Sequence, residues 1–282
     1  MLATLKVEYI ITLPTIFNDM IHTSSKEYQE HKIFDELTLY IEFYESLSFS
    51  IMGFVSMGTT AVNIDIYIFS SIQGTVDSIK TLLTNGRIND SYALLRKYYD
   101  STIINIYSSL YLKDNHSLDN FIVEKIENWL QGKEQLPEYR VMNDYVRNSA
   151  KLKEINDLLF NDKTIYKELR NRCNDHTHYN FYHNLLLNDN EIYLKHRITT
   201  LNQFSEDLRN IFMMHCSYLF YLNEHYMSSS DYVDSLDCGL KPEEGSQYFV
   251  APFIQNAFDK TIKVYRQDIA KLILDTTCMQ LE

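Results

Sequence analysis

Glycine and proline are scarce in this chain, and their scarcity limits the possible folds. The 282 residues include only 7 Gly and 4 Pro, too few for the many turns of an all-β protein. Long helices need few of either residue. The sequence therefore predicts an all-α fold, a helical bundle with long antiparallel helices.

Cysteine is also scarce, and its spacing excludes two kinds of site. The four cysteines lie far apart and form no CxxC pair, so we expect neither a zinc site nor a disulfide framework. The four are Cys173, Cys216, Cys238 and Cys278. Scarce, unpaired cysteines fit a reducing compartment, and we predict a cytoplasmic protein.

The chain lacks a clear membrane span and a secretion signal. Ser, Thr, Gly and Asn interrupt the uncharged run 46–64, which Asp65 closes. We interpret that run as buried core. Near the N-terminus, Lys6 and Glu8 interrupt what would be the apolar part of a signal peptide. We expect neither secretion nor a membrane partner.

Positive charge is in deficit. The chain has 26 Lys and Arg against 38 Asp and Glu, a formal net charge of −12. A protein that binds nucleic acid without sequence preference presents a broad basic face. The acidic composition therefore argues against such binding. It does not exclude a local basic pocket.

Apolar residues recur at intervals of three and four along most of the chain, which is typical of helices. This spacing predicts helices over 26–48, 64–83, 88–110, 201–222 and 252–276, with shorter helices between them. A glycine-rich, serine-rich shift at 228–247 predicts a loop or domain edge. We expect an N-terminal segment 1–57 packed on a helical core 58–227, and a C-terminal part 228–282 completing the same domain.

One short segment carries two arginine–histidine pairs with the same spacing. Arg170 and Asn171 precede His176, with five residues between the arginine and the histidine, and Arg172 repeats this spacing to His178. A guanidinium can neutralise charge on a phosphodiester, and an imidazole can move a proton near neutral pH. The alternative is a solvated helix face in which the arginines pair with nearby acids.

Four further residues are candidate substrate contacts: Arg96, Tyr179, Tyr182 and His183. With Phe181, the two tyrosines could stack unpaired RNA bases, although packing in the core is the more usual role of such rings. Arg96 could form an ion pair with Asp100 along its own helix, or it could face the arginine–histidine segment from a neighbouring one.

The histidines could also bind a metal or pack in the core. His176, His178, His183 and Asp175 could offer metal ligands, but their spacing is unspecific. We prefer chemistry without a metal or any other cofactor. His215 falls within an apolar seam, and we expect it to be a hydrogen-bonded core residue.

The arrangement Arg170-Asn171-(four residues)-His176 resembles the Arg-polar-x4–6-His motif of the HEPN superfamily. These are compact helical proteins that include many ribonucleases of toxin–antitoxin, abortive-infection and CRISPR-associated defence systems. The segment 82–96 also resembles a second segment that recurs in some bacterial HEPN-like proteins. The resemblance covers roughly residues 60–200 and implies a HEPN-like core.

The resemblance implies metal-independent cleavage of RNA, in which the 2′-hydroxyl attacks its own phosphate and leaves a 2′,3′-cyclic phosphate. His176 would act as general acid or base, Arg170 would stabilise the phosphate, and Asn171 would orient groups by hydrogen bonding. It also implies a homodimer with helices near 60–110 and 164–183 close to its axis, and an antitoxin or defence-complex partner.

Two alternatives remain open. The first concerns the second arginine–histidine pair, Arg172 and His178, which we call the second register. There Cys173 lies where the motif has a polar residue, yet His178-Tyr179-Asn180 resembles the His-x-Asn ending of some relatives. The net acidity also fits a catalytically inactive HEPN-like module that binds a partner through the same arginines and histidines.

Overall fold

The computed structural model describes residues 20–52, 64–117, 122–162 and 164–282. Helices dominate these residues, which confirms the all-α prediction, and the one sheet among them is a two-stranded ribbon. In it, β1 (Met20–Ile21) pairs antiparallel with β2 (Leu194–Lys195). In chain order the helices are α1 (Lys26–Gln29), α2 (Ile33–Met52), α3 (Ile64–Thr84), α4 (Ile88–Asn115), α5 (Glu124–Leu130), α6 (Tyr139–Asn148), α7 (Lys153–Leu159), α8 (Ile165–Thr177), α9 (Tyr182–Leu186), α10 (Arg197–Leu222), α11 (Asp231–Asp237), α12 (Pro252–Lys260), α13 (Ile262–Tyr265) and α14 (Gln267–Thr276).

The tight turn between α3 and α4 makes them antiparallel neighbours, in agreement with the predicted bundle of long antiparallel helices. Gly86 has a φ of 76°, a left-handed conformation that glycine adopts readily. A Cβ at this position would lie 2.5 Å from the side chain of Thr23. The turn therefore requires glycine for both its backbone conformation and its close packing.

The hydrophobic core extends from Tyr28 near the start of the described chain to Leu281 near its end. The long helices α2, α3, α4 and α10 supply most of it, and their apolar stripes face inward as the periodicity predicted. Among its contacts, the ring of Tyr40 on α2 stacks on Phe212 of α10 at a centroid distance of 3.9 Å. Much of the apolar surface of α10 is thus enclosed by other helices.

His215 confirms its predicted core role. Its Nδ1 lies 2.7 Å from the hydroxyl of Tyr44, and its Nε2 lies 2.9 Å from Oδ1 of Asn105. Both ring nitrogens are hydrogen-bonded, which offsets part of the cost of burying them. Burial lowers the pKa of His215 to about 3, so the ring is neutral at physiological pH.

The helix predicted over 26–48 is divided into two helices, α1 and α2. Ser25 caps α1 by accepting a hydrogen bond from the backbone N–H of Tyr28. Further on, Nδ1 of His31 accepts the backbone N–H of Ile33, at the point where α2 begins. A local side-chain cap therefore starts the second helix, a detail that apolar periodicity does not report.

The predicted last helix, 252–276, is divided into α12, α13 and α14. Thr261 leaves helical geometry with φ −123° and ψ −78° between α12 and α13, and Arg266 does so before α14. Tyr265, the last residue of α13, is exposed. The predicted loop at 228–247 likewise contains α11 and a short 3-10 turn at Ser246–Tyr248.

Two predictions fall largely outside the described residues: the buried run 46–64 and the boundary between 57 and 58. In the described part of the chain, every helix is too short or too polar to cross a membrane.

Candidate functional site

The arginine–histidine segment is the helix α8 together with the turn that follows it, and α8 packs against α4. Before the helix, Oδ1 of Asp162 accepts hydrogen bonds from the backbone N–H and the hydroxyl of Thr164. After it, the N–H of Tyr179 bonds to the carbonyl of His176, and the N–H of Asn180 to that of Asp175. This pair of bonds is a Schellman motif, which fixes where the helix ends.

Tyr179 occupies the left-handed position of this motif, with a φ of 50°. Glycine is the usual residue there, because a side chain makes the left-handed conformation unfavourable. The ring of Tyr179 does not recover this cost by burial, since 44% of the residue is exposed. Strained backbone conformations of this kind cluster at functional sites.

His176 faces inward from α8 against α4. It is only 7% exposed, and its ring stacks on Tyr92 with centroids 3.9 Å apart. Nδ1 lies 2.8 Å from Oδ1 of Asn89. Burial, with a smaller contribution from the nearby charge of His183, lowers the pKa of His176 to about 4. The imidazole is therefore neutral at physiological pH.

The bond to Asn89 selects one tautomer of His176. Oδ1 of Asn89 is an acceptor, so Nδ1 of His176 carries the proton and Nε2 is left with a lone pair. Nε2 has no hydrogen-bond partner among the described residues, and it is not among the buried atoms that lack partners. It therefore keeps contact with solvent. A neutral imidazole with an unpaired Nε2 can accept a proton, and its pKa of about 4 makes it a weaker base than an ordinary histidine.

Arg170 lies on another face of α8, in a cluster with α4. Its Nη1 donates to Oδ1 of Asp100 at 2.7 Å, and its guanidinium lies 3.4 Å from the ring centroid of Tyr139. Arg96 also donates to Asp100, at 3.1 Å, and to Oδ1 of Asn174 on α8. Both interpretations of Arg96 thus hold together, the ion pair within α4 and the approach to α8.

We call this group the Arg96–Asp100–Arg170 cluster. Two guanidinium groups share one carboxylate, so the cluster carries a formal charge of +1 in an acidic chain. The two arginine side chains keep 23% of their surface exposed. The cluster can therefore meet an anion from solvent.

Arg170 and His176 contact different neighbours within one chain. Six residues of α-helix correspond to about 600° of rotation, which places the two side chains about 120° apart around α8. Arg170 accordingly meets Asp100 and Tyr139, whereas His176 meets Tyr92 and Asn89. The two groups therefore lie on different faces of α8.

The second register has a different arrangement. Arg172 forms a two-point ion pair with Asp207 of α10, with distances of 2.9 and 2.5 Å. The side chain of Asp207 is fully buried, so this arginine compensates an interior charge. Arg172 also lies 3.9 Å from Glu168, as the solvated-face alternative predicted. His178 is exposed at the C-terminal cap of α8.

The aromatic residues after α8 are on the surface, and the expectation that they pack in the core is wrong. Exposure is 44% for Tyr179, 53% for Phe181 and 75% for Tyr182. His183 is also exposed, and its ring stacks on Phe181 at 5.8 Å. The Schellman turn and the short helix α9 direct these rings outward. We call Tyr179, Phe181, Tyr182 and His183 the aromatic segment.

Asn171, the polar residue of the motif, is exposed and makes no side-chain hydrogen bond with the described residues. It is therefore free to meet a ligand.

Sequence reasoning missed the partners that define this region. Asn89 and Tyr92 lie three residues apart on α4, and only their position opposite α8 gives them a role. Asn174, Asp207 and Tyr139 were missed for the same reason. Their contacts join residues that are distant in sequence, so helical spacing alone could show no more than which face of a helix each occupies.

A metal centre is not formed by the side chains described: no group of three or more His, Cys, Asp or Glu residues is placed to hold an ion within residues 20–52, 64–117, 122–162 and 164–282. Comparisons of the chain with protein-family models, curated proteins and solved structures gave no significant match.

Proposed function

We propose that the chain is a metal-independent endoribonuclease. In the proposed reaction the 2′-hydroxyl of RNA attacks the adjacent phosphate, and the bond to the 5′-oxygen breaks, leaving a 2′,3′-cyclic phosphate and a 5′-hydroxyl. The observation that carries the proposal is the state of His176, which is neutral, held in one tautomer and open at Nε2. Such a nitrogen can take the proton of the attacking hydroxyl.

The arginines would bind the phosphate. The reaction concentrates negative charge on the phosphoryl oxygens, and preorganised cationic donors stabilise that charge. The Arg96–Asp100–Arg170 cluster offers two guanidinium groups whose positions are set by Asp100, Asn174 and Tyr139. Asn171, exposed beside Arg170, would orient the phosphate or the ribose.

The proposed site is assembled from two copies of the chain. Arg170 and His176 face different directions in one copy, so a single phosphate would meet Arg170 of one subunit and His176 of the other. This arrangement agrees with the homodimer that the HEPN resemblance implies. A role in bacterial defence or as a toxin is part of the same proposal and rests on the resemblance.

A second candidate function is a catalytically inactive module that binds a protein partner. It is favoured by one observation: Arg170, Arg172 and His176 each have a partner within their own chain, in Asp100, Asp207 and Asn89. Groups that are already paired can serve stability alone. In that case the exposed aromatic segment would be the surface that meets the partner.

A cleavage assay in EDTA separates the two functions. The purified wild-type chain should cut single-stranded RNA without added metal and leave 2′,3′-cyclic phosphate ends. Fully 2′-deoxy substrate should stay intact, because it lacks the nucleophile. Arg170→Ala and His176→Ala should each abolish cleavage with an unchanged helical circular dichroism spectrum.

His196→Asn serves as the matched control, because His196 is an exposed histidine outside α8 and the aromatic segment, and it should cleave like wild type. Cleavage that survives both substitutions, or that stops in EDTA, would contradict the ribonuclease proposal. A wild-type chain that cuts no RNA but binds a protein partner through the aromatic segment would establish the second function.

A further inference from the structure

A pocket lies on the side of α10 that faces away from α8. Asp207, which pairs with Arg172 of α8, and Arg209 are two residues apart, or about 200° around the helix. Arg209 therefore projects to the opposite side, where α2, α10 and the C-terminal helices line a pocket of about 580 Å³ that is open to solvent. Ligand pockets commonly have volumes of about 300–1,000 Å³.

Arg209 forms the inner wall of this pocket. It is 8% exposed. Nε and Nη2 donate to Oε1 of Glu36, at 3.0 and 2.5 Å, and Nη2 also reaches the hydroxyl of Ser205. Its Nη1 has no partner among the described residues and is not one of the buried atoms without partners. One donor of a nearly buried guanidinium therefore remains open.

A second polar group in the same wall has no partner. Tyr40 is fully buried, and its hydroxyl makes no hydrogen bond. The charges of Glu36 and Arg209 act on this hydroxyl, which places it beside the ion pair. An unsatisfied buried hydroxyl costs free energy, on the order of 1–3 kcal/mol. Tyr40 lines the pocket, and a ligand oxygen that reached this hydroxyl would satisfy it.

Two lysines stand at the rim without ion-pair partners among the described residues. Lys32 precedes α2, and Lys260 ends α12. Asp35 and Glu42 also line the rim, and they are exposed like the two lysines, so solvent screens all four charges. The charge of Arg209 is already balanced by Glu36. The two lysines are the rim cations that can turn toward a ligand without breaking an ion pair with the described residues.

The break in the C-terminal helix builds one side of the pocket. Lys260 and Tyr265 lie on either side of the non-helical Thr261, and all three line the cavity. The ring of Tyr265 lies 4.1 Å from the guanidinium of Arg209, which holds the arginine in place. The break in the helix thus forms a concave surface at Thr261.

We propose that this pocket binds a small organic phosphate. Nη1 of Arg209 and the hydroxyl of Tyr40 would donate to phosphate oxygens, and Lys32 and Lys260 would neutralise the charge. Phosphate suits this set better than a carboxylate does, because it offers more oxygen acceptors and a charge near −2 at neutral pH. The site is separate from His176, and its existence does not depend on the proposed ribonuclease activity.

Calorimetry and thermal unfolding test the proposal on the full chain. The probes are inorganic phosphate, glucose 6-phosphate and AMP, with glucose, adenosine and succinate as partners that lack phosphate, all at matched ionic strength. We expect at least one phosphate probe to bind and to raise the unfolding midpoint, because a ligand that binds only the native state stabilises it. The phosphate-free probes should leave the midpoint unchanged.

Substitutions localise the binding. The double variant Lys32→Ala/Lys260→Ala changes only exposed residues and should weaken the dissociation constant at least tenfold. Tyr40→Phe keeps the ring and should also weaken binding. Lys263→Ala is the matched control, because Lys263 pairs with Asp259 outside the pocket, and it should bind like wild type.

Three results would overturn the proposal: no binding of any phosphate probe, an equal response to succinate, or binding that survives the double lysine substitution.

Discussion

The imidazole of His176 lies parallel to the phenol ring of Tyr92, with 3.9 Å between the ring centroids and 9° between the planes. This stacking and the bond to Asn89 fix the direction in which Nε2 points. Both partners come from one face of α4, so the packing of α4 on α8 sets the position of the imidazole. Under the proposed reaction, an imidazole held in this way would need no reordering before it accepts a proton.

Asn89→Asp should raise the pKa of His176. The substitution has nearly the same shape, but a carboxylate beside Nδ1–H stabilises the imidazolium. The wild-type pKa of about 4 should move upward by at least about one unit. Titration of the histidine ring by NMR measures the change. If ribonuclease activity is present, its acidic limit should move upward with the pKa, and an unmoved pKa would show that Asn89 does not contact Nδ1 in solution.

The low pKa values of His176 and His215 predict loss of stability in mild acid. Their native pKa values, about 4 and about 3, lie below the unfolded value of about 6.5. As the pH falls below 6.5, the unfolded chain binds protons that the native chain does not, so the free energy of unfolding decreases.

Urea denaturation between pH 7 and 4 measures this effect. For His176 alone the loss should reach roughly 2–3 kcal/mol near pH 4. His176→Asn should show a correspondingly smaller decrease. An identical dependence in wild type and His176→Asn would contradict the burial of a neutral imidazole.

Arg172→Ala should destabilise the fold far more than Arg170→Ala. Removing Arg172 leaves the fully buried carboxyl of Asp207 without its ion-pair partner, at a cost of about 3–5 kcal/mol. Removing Arg170 leaves Asp100 partly exposed and still paired with Arg96, so the expected cost is about 1 kcal/mol or less. Denaturant unfolding of the two variants compares these values. Equal destabilisation would contradict the structural role assigned to Arg172.

Tyr179→Gly should stabilise the fold while weakening any contact with RNA. Glycine relieves the left-handed strain and should add about 0.5–1 kcal/mol to the free energy of unfolding. Loss of a stacking ring should cost about 1–3 kcal/mol of RNA binding. Tyr232→Ala removes an exposed tyrosine from α11 and should leave RNA binding unchanged. A Tyr179→Gly chain that is less stable than wild type would show that the ring has a packing role.

Apolar spacing predicted the long helices because each buries one regular stripe. Periodicity alone was enough to predict the helices from Ile64 to Leu83 and from Leu201 to Leu222. The break at Thr261 could not be predicted in this way, since no glycine or proline marks it and the apolar spacing continues through it. Beside the break, Ile262 is buried and Tyr265 contacts Arg209, and spacing along the chain does not show such contacts.

The candidate site was predictable only in part. Residue types and spacing identified Arg170, Arg172 and His176, but they did not show that Arg172 pairs with a buried carboxylate of α10. They also did not show which way the rings after α8 would point. Tyr179 faces solvent because of the Schellman turn, and that turn carries no glycine that would signal it in the sequence.

Mixing two inactive variants tests most directly whether the proposed site is shared between two copies. Arg170→Ala and His176→Ala should each be inactive alone. Co-expressed, they form mixed dimers in which one composite site has an intact Arg170 from one subunit and an intact His176 from the other. We expect these mixtures to recover RNA cleavage in EDTA, with 2′,3′-cyclic phosphate ends, while either variant alone recovers none. An active wild-type chain whose mixed variants form dimers but stay inactive would contradict a site shared between subunits.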